Sequence, residues 1–102
     1  MLYVVTLTYL RAAAEIEAQL DTHRAWLIGH ARAGRILVAG PLDSGAGGLI
    51  LAHCQDRAEL DQMLGQDSFH VHRLADYHVQ AFTAALHAKA FAAQWAPQAK
   101  AI

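Results

Sequence analysis

Residues 34–54 read GRILVAGPLDSGAGGLILAHC and form the middle of the chain. Its first part, residues 35–39, is rich in aliphatic and β-branched side chains and ends at Gly40-Pro41, which predicts a strand and its termination. The segment 43–48 combines Gly, Ser and Asp and predicts a flexible turn. The apolar run 49–54 predicts a second strand, so the middle of the chain is a strand–turn–strand unit.

The segments on either side complete a βαββαβ order. Residues 2–9 predict a central strand because both of their alternating faces carry apolar groups. Residues 12–33 predict a helix between this strand and the central unit. After the unit, residues 56–59 have the pattern of a capping box and begin a helix that ends near Leu64. Residues 77–82 predict the fourth strand.

This order predicts a ferredoxin-like α+β fold, in which an antiparallel four-stranded sheet carries two helices on one face. The other face then needs cover, and a second copy of the same sheet would provide it, so we expect a homodimer. The 102 residues suit a single domain. Residues 1–83 form its ferredoxin-like part, and the alanine-rich residues 84–102 predict a C-terminal helical extension whose helix is stopped by Pro97.

The composition argues against several classes of protein. The net charge is -1 and the eight Lys and Arg residues are scattered, so we expect no nucleic-acid partner. The N-terminus lacks the positive region of a signal peptide, and no apolar run approaches the roughly 18 residues of a membrane span. The single cysteine, Cys54, cannot form an internal disulfide. We therefore expect a cytoplasmic protein without a membrane partner.

One histidine interrupts the apolar stripe of the first predicted helix. At about 100° per residue, Ile16, Leu20, His23 and Leu27 lie within about 60° of one another. A titratable side chain on a face meant for burial is either a hydrogen-bonded core residue or part of a site. Both interpretations of His23 are open at this point.

Several motifs, in a shared order over about residues 1–83, resemble those of the YciI-like (YCII-related) family. The matching segments are Leu2-Tyr3-Val4-Val5, His23 followed by Leu27, residues 34–42, Gly47-Gly48-Leu49-Ile50, and Asp67-Ser68-Phe69, where the family commonly has Asp-Pro-Phe. The resemblance implies a dimeric α+β barrel built from ferredoxin-like subunits, related in fold to muconolactone isomerases. It also implies an active site with a paired His and Asp, and a related enzyme removes chloride from a chlorinated hydroxyquinol.

The positions that match this pair are His23 and Asp67. A carboxylate bonded to one ring nitrogen fixes the tautomer and leaves the other nitrogen free to take or give a proton. The first hypothesis is therefore a cofactor-independent enzyme that acts on a small cyclic or aromatic organic substrate by a lyase, dehalogenation or isomerisation step. The alternatives are a core histidine beside a turn-capping aspartate, or a non-catalytic dimeric protein that binds a small molecule or serves as an accessory subunit. Ser68, in the place of the proline, is expected to hold Asp67 less firmly.

A second group of residues is expected to bind the substrate. Its members are Gly40, Pro41, Asp43, Ser44, Phe69 and His30. The first four follow a strand and would form the rim of a pocket, although a plain hairpin loop explains them as well. The phenylalanine would form an aromatic wall unless it belongs to the core. The histidine would line the same pocket or lie at the helix end, where a cation favours the dipole.

We expect no metal site and no cofactor. His70 and His72 would point to one side only if they lay on a strand, and no third ligand is evident. The sequence also contains no Gly-rich phosphate loop, no dinucleotide fingerprint and no nucleophile elbow.

Overall fold

A computed structural model describes residues 1–102, and it confirms the predicted ferredoxin-like α+β fold. The main strands are β1 (Leu2–Tyr9), β2 (Ile36–Pro41), β3 (Gly47–His53) and β4 (Ala75–Phe82). The helices are α1 (Ala13–Ala18), α2 (Leu20–Arg32), α3 (Arg57–Gly65) and α4 (Ser68–Val71). All neighbouring strands are antiparallel, and their order in the sheet is β2-β3-β1-β4.

Strand β1 is central, as its apolar pattern predicts. Val5 lies opposite Ile50 of β3 and Val79 of β4, and Val5 is fully buried. Tyr3 and Leu7 point to the same face as Val5, because side chains alternate along a strand. These residues and the inner faces of the helices form one core cluster, which also contains Leu60 of α3 and Phe69 of α4.

The β2–β3 hairpin depends on glycine at its entry into β3. A Cβ atom on Gly47 would overlap the carbonyl group of Leu7, so a larger residue would push β3 away from β1. The amide of Leu42 donates to the carbonyl of Gly47 at 2.9 Å and closes the turn. Gly45 lies within the turn at φ 75°, a left-handed conformation that favours glycine.

The predicted single helix over 12–33 is divided into α1 and α2. Gln19 leaves the helical conformation at φ -109° and ψ 8°. Ile16 of α1 and His23 of α2 are both buried, so the apolar stripe is shared between the two helices. Helix α2 ends before Gly34 at φ 78°, which satisfies the helix end as the sequence predicts.

The prediction of a C-terminal helix within residues 84–102, stopped by Pro97, is wrong. The C-terminal residues instead form two short parallel strands, β5 (Leu86–His87) and β6 (Lys100–Ala101), joined by a segment with one 3₁₀ turn at Ala93–Trp95. Alanine favours helix, but a helix of about 12 residues is marginal unless an apolar face packs on the body of the protein. The strand pairing and the burial of His87 and Ala96 take the place of that packing. None of the helices in the chain has the length and apolar character needed to cross a membrane.

Candidate functional site

His23 and Asp67 meet in the interior between α2 and α4. The Nδ1 atom of His23 lies 2.7 Å from Oδ1 of Asp67, although the two residues are 44 positions apart in the chain. Asp67 precedes α4 and caps it, since the same Oδ1 accepts the amide N–H of Phe69 at 3.1 Å. Asp67 is fully buried and His23 is 9% exposed, so the structure brings the two residues into a largely desolvated contact.

The second oxygen of Asp67 is held by a residue that the sequence did not single out. The hydroxyl of Tyr77, on β4, donates to Oδ2 at 2.5 Å. Burial raises the pKa of Tyr77 far above its usual range, and the hydrogen bond to Asp67 raises it further, so the phenol keeps its proton and remains a donor. An ionised carboxylate can only accept hydrogen bonds, and therefore Nδ1 of His23 carries a proton that it donates to Asp67.

The imidazole of His23 is also fixed by stacking. Its ring lies parallel to that of Phe69, with an interplanar angle of 2° and centroids 3.9 Å apart. The ring of Trp26 lies on α2 one turn later, with its centroid 5.7 Å from that of His23, and its Nε1 donates to the carbonyl of Met63. A ring that is both stacked and hydrogen-bonded presents its remaining nitrogen in one direction.

His23 lines a cavity with a volume of about 780 Å³. The structure records no hydrogen bond from Nε2 of His23, and no buried side-chain nitrogen or oxygen atom lacks a partner, so Nε2 is accessible from the cavity. The walls come from α1, α2 and the first three strands. They include Tyr9, Arg11, Ile16, Glu17, Leu20, His23, Arg24, Leu27, Gly40, Pro41, Gly48 and Ile50. The cavity is therefore mainly apolar, with the imidazole of His23 in its wall.

The residues expected at the rim divide into two pairs. Gly40 and Pro41 line the cavity from the end of β2. Asp43 and Ser44 do not line it, although Gly45 and Ala46 of the same β2–β3 turn do. The Ser44 hydroxyl instead accepts the amide N–H of Ala46 at 3.2 Å. The hairpin-loop interpretation applies to this second pair.

Phe69 and His30 were also expected to face the substrate, and the structure places both elsewhere. Phe69 is fully buried behind the imidazole of His23, so it supports the histidine and does not line the cavity. His30 lies one heptad beyond His23, about 10 Å further along the helix, past the end of the cavity. Its Nδ1 accepts from Nε of Arg35 at 2.9 Å, and its Nε2 lies 3.1 Å from Oε1 of Gln66, to which it donates.

Ser68 makes specific contacts in place of the expected proline. Its hydroxyl lies 2.9 Å from that of Thr22 and donates to the carbonyl of Gln19 at 3.3 Å. These bonds connect the first residue of α4, next to Asp67, to the start of α2, which carries His23. Ser68 therefore links the segments of Asp67 and His23, whereas the sequence predicted that Ser68 would hold Asp67 less firmly.

His70 and His72 do not form a metal-ligand pair on a strand. His70 lies in α4 with its ring against that of Tyr77, and His72 follows the helix. No group of three or more His, Cys, Asp or Glu residues is arranged to hold a metal ion. Of the residues that line or support the site, Tyr77, Arg11 and Arg24 carry no signal in the sequence beyond their residue type, because their positions in the site depend on the assembled fold.

Comparison with known proteins places this geometry in context. A solved structure of 5-chloro-2-hydroxyhydroquinone dehydrochlorinase (TftG) from Burkholderia phenoliruptrix AC1100, in complex with 2,5-dihydroxybenzoquinone, matches the fold with a TM-score of 0.69. The match covers 82% of this chain and 95% of that one at 18% sequence identity, a level that establishes the shared fold. No curated protein sequence matches the chain. The family model of the YCII-related domain matches residues 1–83, and the chain therefore belongs to the YCII-related domain family.

Proposed function

We propose that the protein is an enzyme that converts a small cyclic or aromatic organic molecule by proton transfer at His23. The observation that carries this proposal is the state of the two ring nitrogens. Nδ1 is committed to the buried carboxylate of Asp67, and Nε2 is open to the cavity. Family membership and the fold shared with a dehydrochlorinase support a small-molecule substrate.

The proton moves between Nε2 and the substrate. As a base, Nε2 takes a proton from a ring hydroxyl or from a carbon next to a carbonyl, and the imidazolium that forms lies against the ionised Asp67. The electron pair of the broken bond enters the ring system. In an isomerisation, His23 returns the proton to another atom of the substrate; in a lyase or dehalogenation step, the electron pair expels an anionic leaving group. In both courses Asp67 holds the tautomer of His23 and does not itself transfer a proton.

The test compares two histidines of one helix. We expect His23→Asn to lower kcat at least about 100-fold, the lower range for loss of a general acid or base. His30→Asn, the matched control, should leave it within about twofold, because His30 does not face the cavity. The assay uses a panel of hydroxylated and chlorinated ring compounds, beginning with 5-chloro-2-hydroxyhydroquinone. Turnover is measured as chloride release and as a change in absorbance.

The outcomes separate the catalytic function from its alternative. A substrate whose turnover survives in His23→Asn with normal circular dichroism would overturn the role of His23. If no compound of the panel is converted, but ring compounds bind and the binding is lost in His23→Asn, the protein is a non-catalytic small-molecule-binding protein in which His23 anchors the ligand.

We also propose that two copies pair through the sheet face that the helices leave open. This face carries Val4 and Leu51, which are half-buried, and the exposed residues Val38, Leu49 and Phe82. Val38 is 60% exposed and lies opposite Leu51, so it extends the apolar surface to the edge of the sheet. Apolar surface of this kind, on a sheet with one covered face, is typical of a subunit interface.

Sedimentation equilibrium tests the dimer. Val38→Asp should produce a folded monomer, because the residue is exposed within one chain but would place a charge in the interface. Ile28→Asp changes a residue of α2 that is also exposed, at 51%, and should remain dimeric. A monomeric wild type, or equal dissociation of the two variants, would refute pairing through this face.

A further inference from the structure

Two arginines line the cavity that contains His23, and neither has an ionic partner. Arg11 follows β1, and Arg24 is adjacent to His23 on α2. The ion pairs of the structure are His23 with Asp67 and Arg57 with Asp61, so both cavity guanidinium groups are free.

The two arginines reach the cavity wall from different elements. Arg24 lies four residues after Leu20 and three before Leu27, and both leucines line the cavity, so all three share one stripe of α2. Arg11 lines the cavity from the connection between β1 and α1. Both side chains are exposed, so their guanidinium groups can reach an anion that enters the cavity.

The charge around the cavity is opposite to that of the whole chain. The chain has a net charge of -1, but the cavity wall contains two arginines against one carboxylate, Glu17. Glu17 makes no ion pair with either arginine. Asp67 is behind the imidazole, where it is paired with His23, and does not line the cavity.

We infer that Arg11 and Arg24 form a binding site for an anionic group, a carboxylate or an ionised hydroxyl, on the ring compound whose reacting atom faces His23. This inference rests on the proposed function and names its substrate class. The planar guanidinium group donates two parallel hydrogen bonds to such an anion. The anion at the arginines and Nε2 of His23 then fix the two ends of the ring, and the apolar residues between them contact its faces.

The experiment measures binding of two probes that differ only in charge. The probes are 2,5-dihydroxybenzoate and its neutral analogue 2,5-dihydroxybenzamide, titrated by calorimetry at low salt and at about 0.5 M salt, where screening extends over only a few Å. We expect the carboxylate to bind the wild type about tenfold more tightly than the amide. Arg24→Gln and Arg11→Gln should each weaken carboxylate binding about fivefold, leave amide binding unchanged and reduce the salt dependence.

A third arginine of the same region provides the control. Arg32→Gln removes the same charge from the last turn of α2, outside the cavity, and should leave the binding of both probes unchanged. Equal affinity of the wild type for the two probes would overturn the anion site while leaving the proposed ring substrate intact. An equal loss of carboxylate binding in Arg32→Gln would also overturn it, because the effect would then be one of overall charge. Failure of both probes to bind the wild type would count against the inference and the proposed substrate class together.

Discussion

His23 and His30 lie one heptad apart on α2, and their surroundings are opposite in kind. His23 is 9% exposed, pairs with a buried carboxylate through one nitrogen and opens the other to a cavity. His30 is partly exposed, and both of its nitrogens are occupied, one by Arg35 and the other by Gln66. The same residue type, on nearly the same side of one helix, therefore faces a cavity at one position and links neighbouring elements at the other.

The difference shows what the spacing of residues can and cannot decide. A heptad spacing places two side chains on one side of a helix, but they are about 10 Å apart along its axis. At one end of α2 the neighbouring segment presents the carboxylate of Asp67, and at the other end it presents the neutral amide of Gln66. Two consecutive residues of the α3–α4 connection thus give the two histidines different partners.

The largest effect is expected from removing the carboxylate that distinguishes the two regions. Asp67→Ala leaves the imidazole N–H, the Phe69 amide and the Tyr77 hydroxyl without their acceptor in a buried place. We expect a loss of about 3–5 kcal/mol in the free energy of unfolding, as for other broken buried pairs. Urea unfolding at a fixed protein concentration measures it.

Gln66→Ala is the matched control for this change. It removes the adjacent partner of His30, in an exposed contact, and should cost less than about 1 kcal/mol. If Asp67→Ala fails to fold, Asp67→Asn keeps an acceptor oxygen at the same place and provides the comparison with wild type. Equal losses in the free energy of unfolding for Asp67→Ala and Gln66→Ala would show that burial of the His23 pair does not distinguish the surroundings of His23 from those of His30.

Much of the fold is predictable because short segments of the chain carry their own signals. The apolar runs at 35–39 and 49–54, with glycines between them, specify a hairpin, and the capping residue Asp56 indeed accepts the amide of Glu59 at 2.9 Å. The break at Gln19 carries no such signal, because glutamine is compatible with the interior of a helix. The C-terminal residues were mistaken for helix because alanine propensity acts locally, whereas the pairing of β5 with β6 joins residues 14 positions apart.

The candidate site was predictable only in part, for a similar reason. His23 is conspicuous as a polar residue in an apolar stripe, so periodicity alone locates it. Asp67 was identified only through a family resemblance, since nothing local indicates that a turn-capping aspartate faces α2. The contact of Tyr77 with Asp67 depends on the register of β4 against β1, where Tyr77 lies opposite Leu7. That register is a property of the assembled sheet.

A smaller effect is expected from Tyr77→Phe, which keeps the carboxylate of Asp67 but removes one of its donors. At pH 7 we expect a cost of about 1–2 kcal/mol in the free energy of unfolding, measured in urea, because one buried carboxylate oxygen loses its hydrogen bond. Tyr9→Phe, on a tyrosine with no recorded hydrogen bond, should cost less.

The pH dependence makes this prediction specific to the Tyr77 hydroxyl. Burial raises the pKa of Tyr77 in the folded protein, whereas an unfolded tyrosine loses its proton near pH 10. Below about pH 10 both states hold the proton, so the stabilisation is fully present. Above it the unfolded state alone loses the proton, and the stability of the wild type falls more steeply than that of Tyr77→Phe. The difference in the free energy of unfolding between the wild type and Tyr77→Phe should therefore narrow above about pH 10. A difference that stays constant or widens there would show that the phenol does not donate to Asp67 as a protonated group.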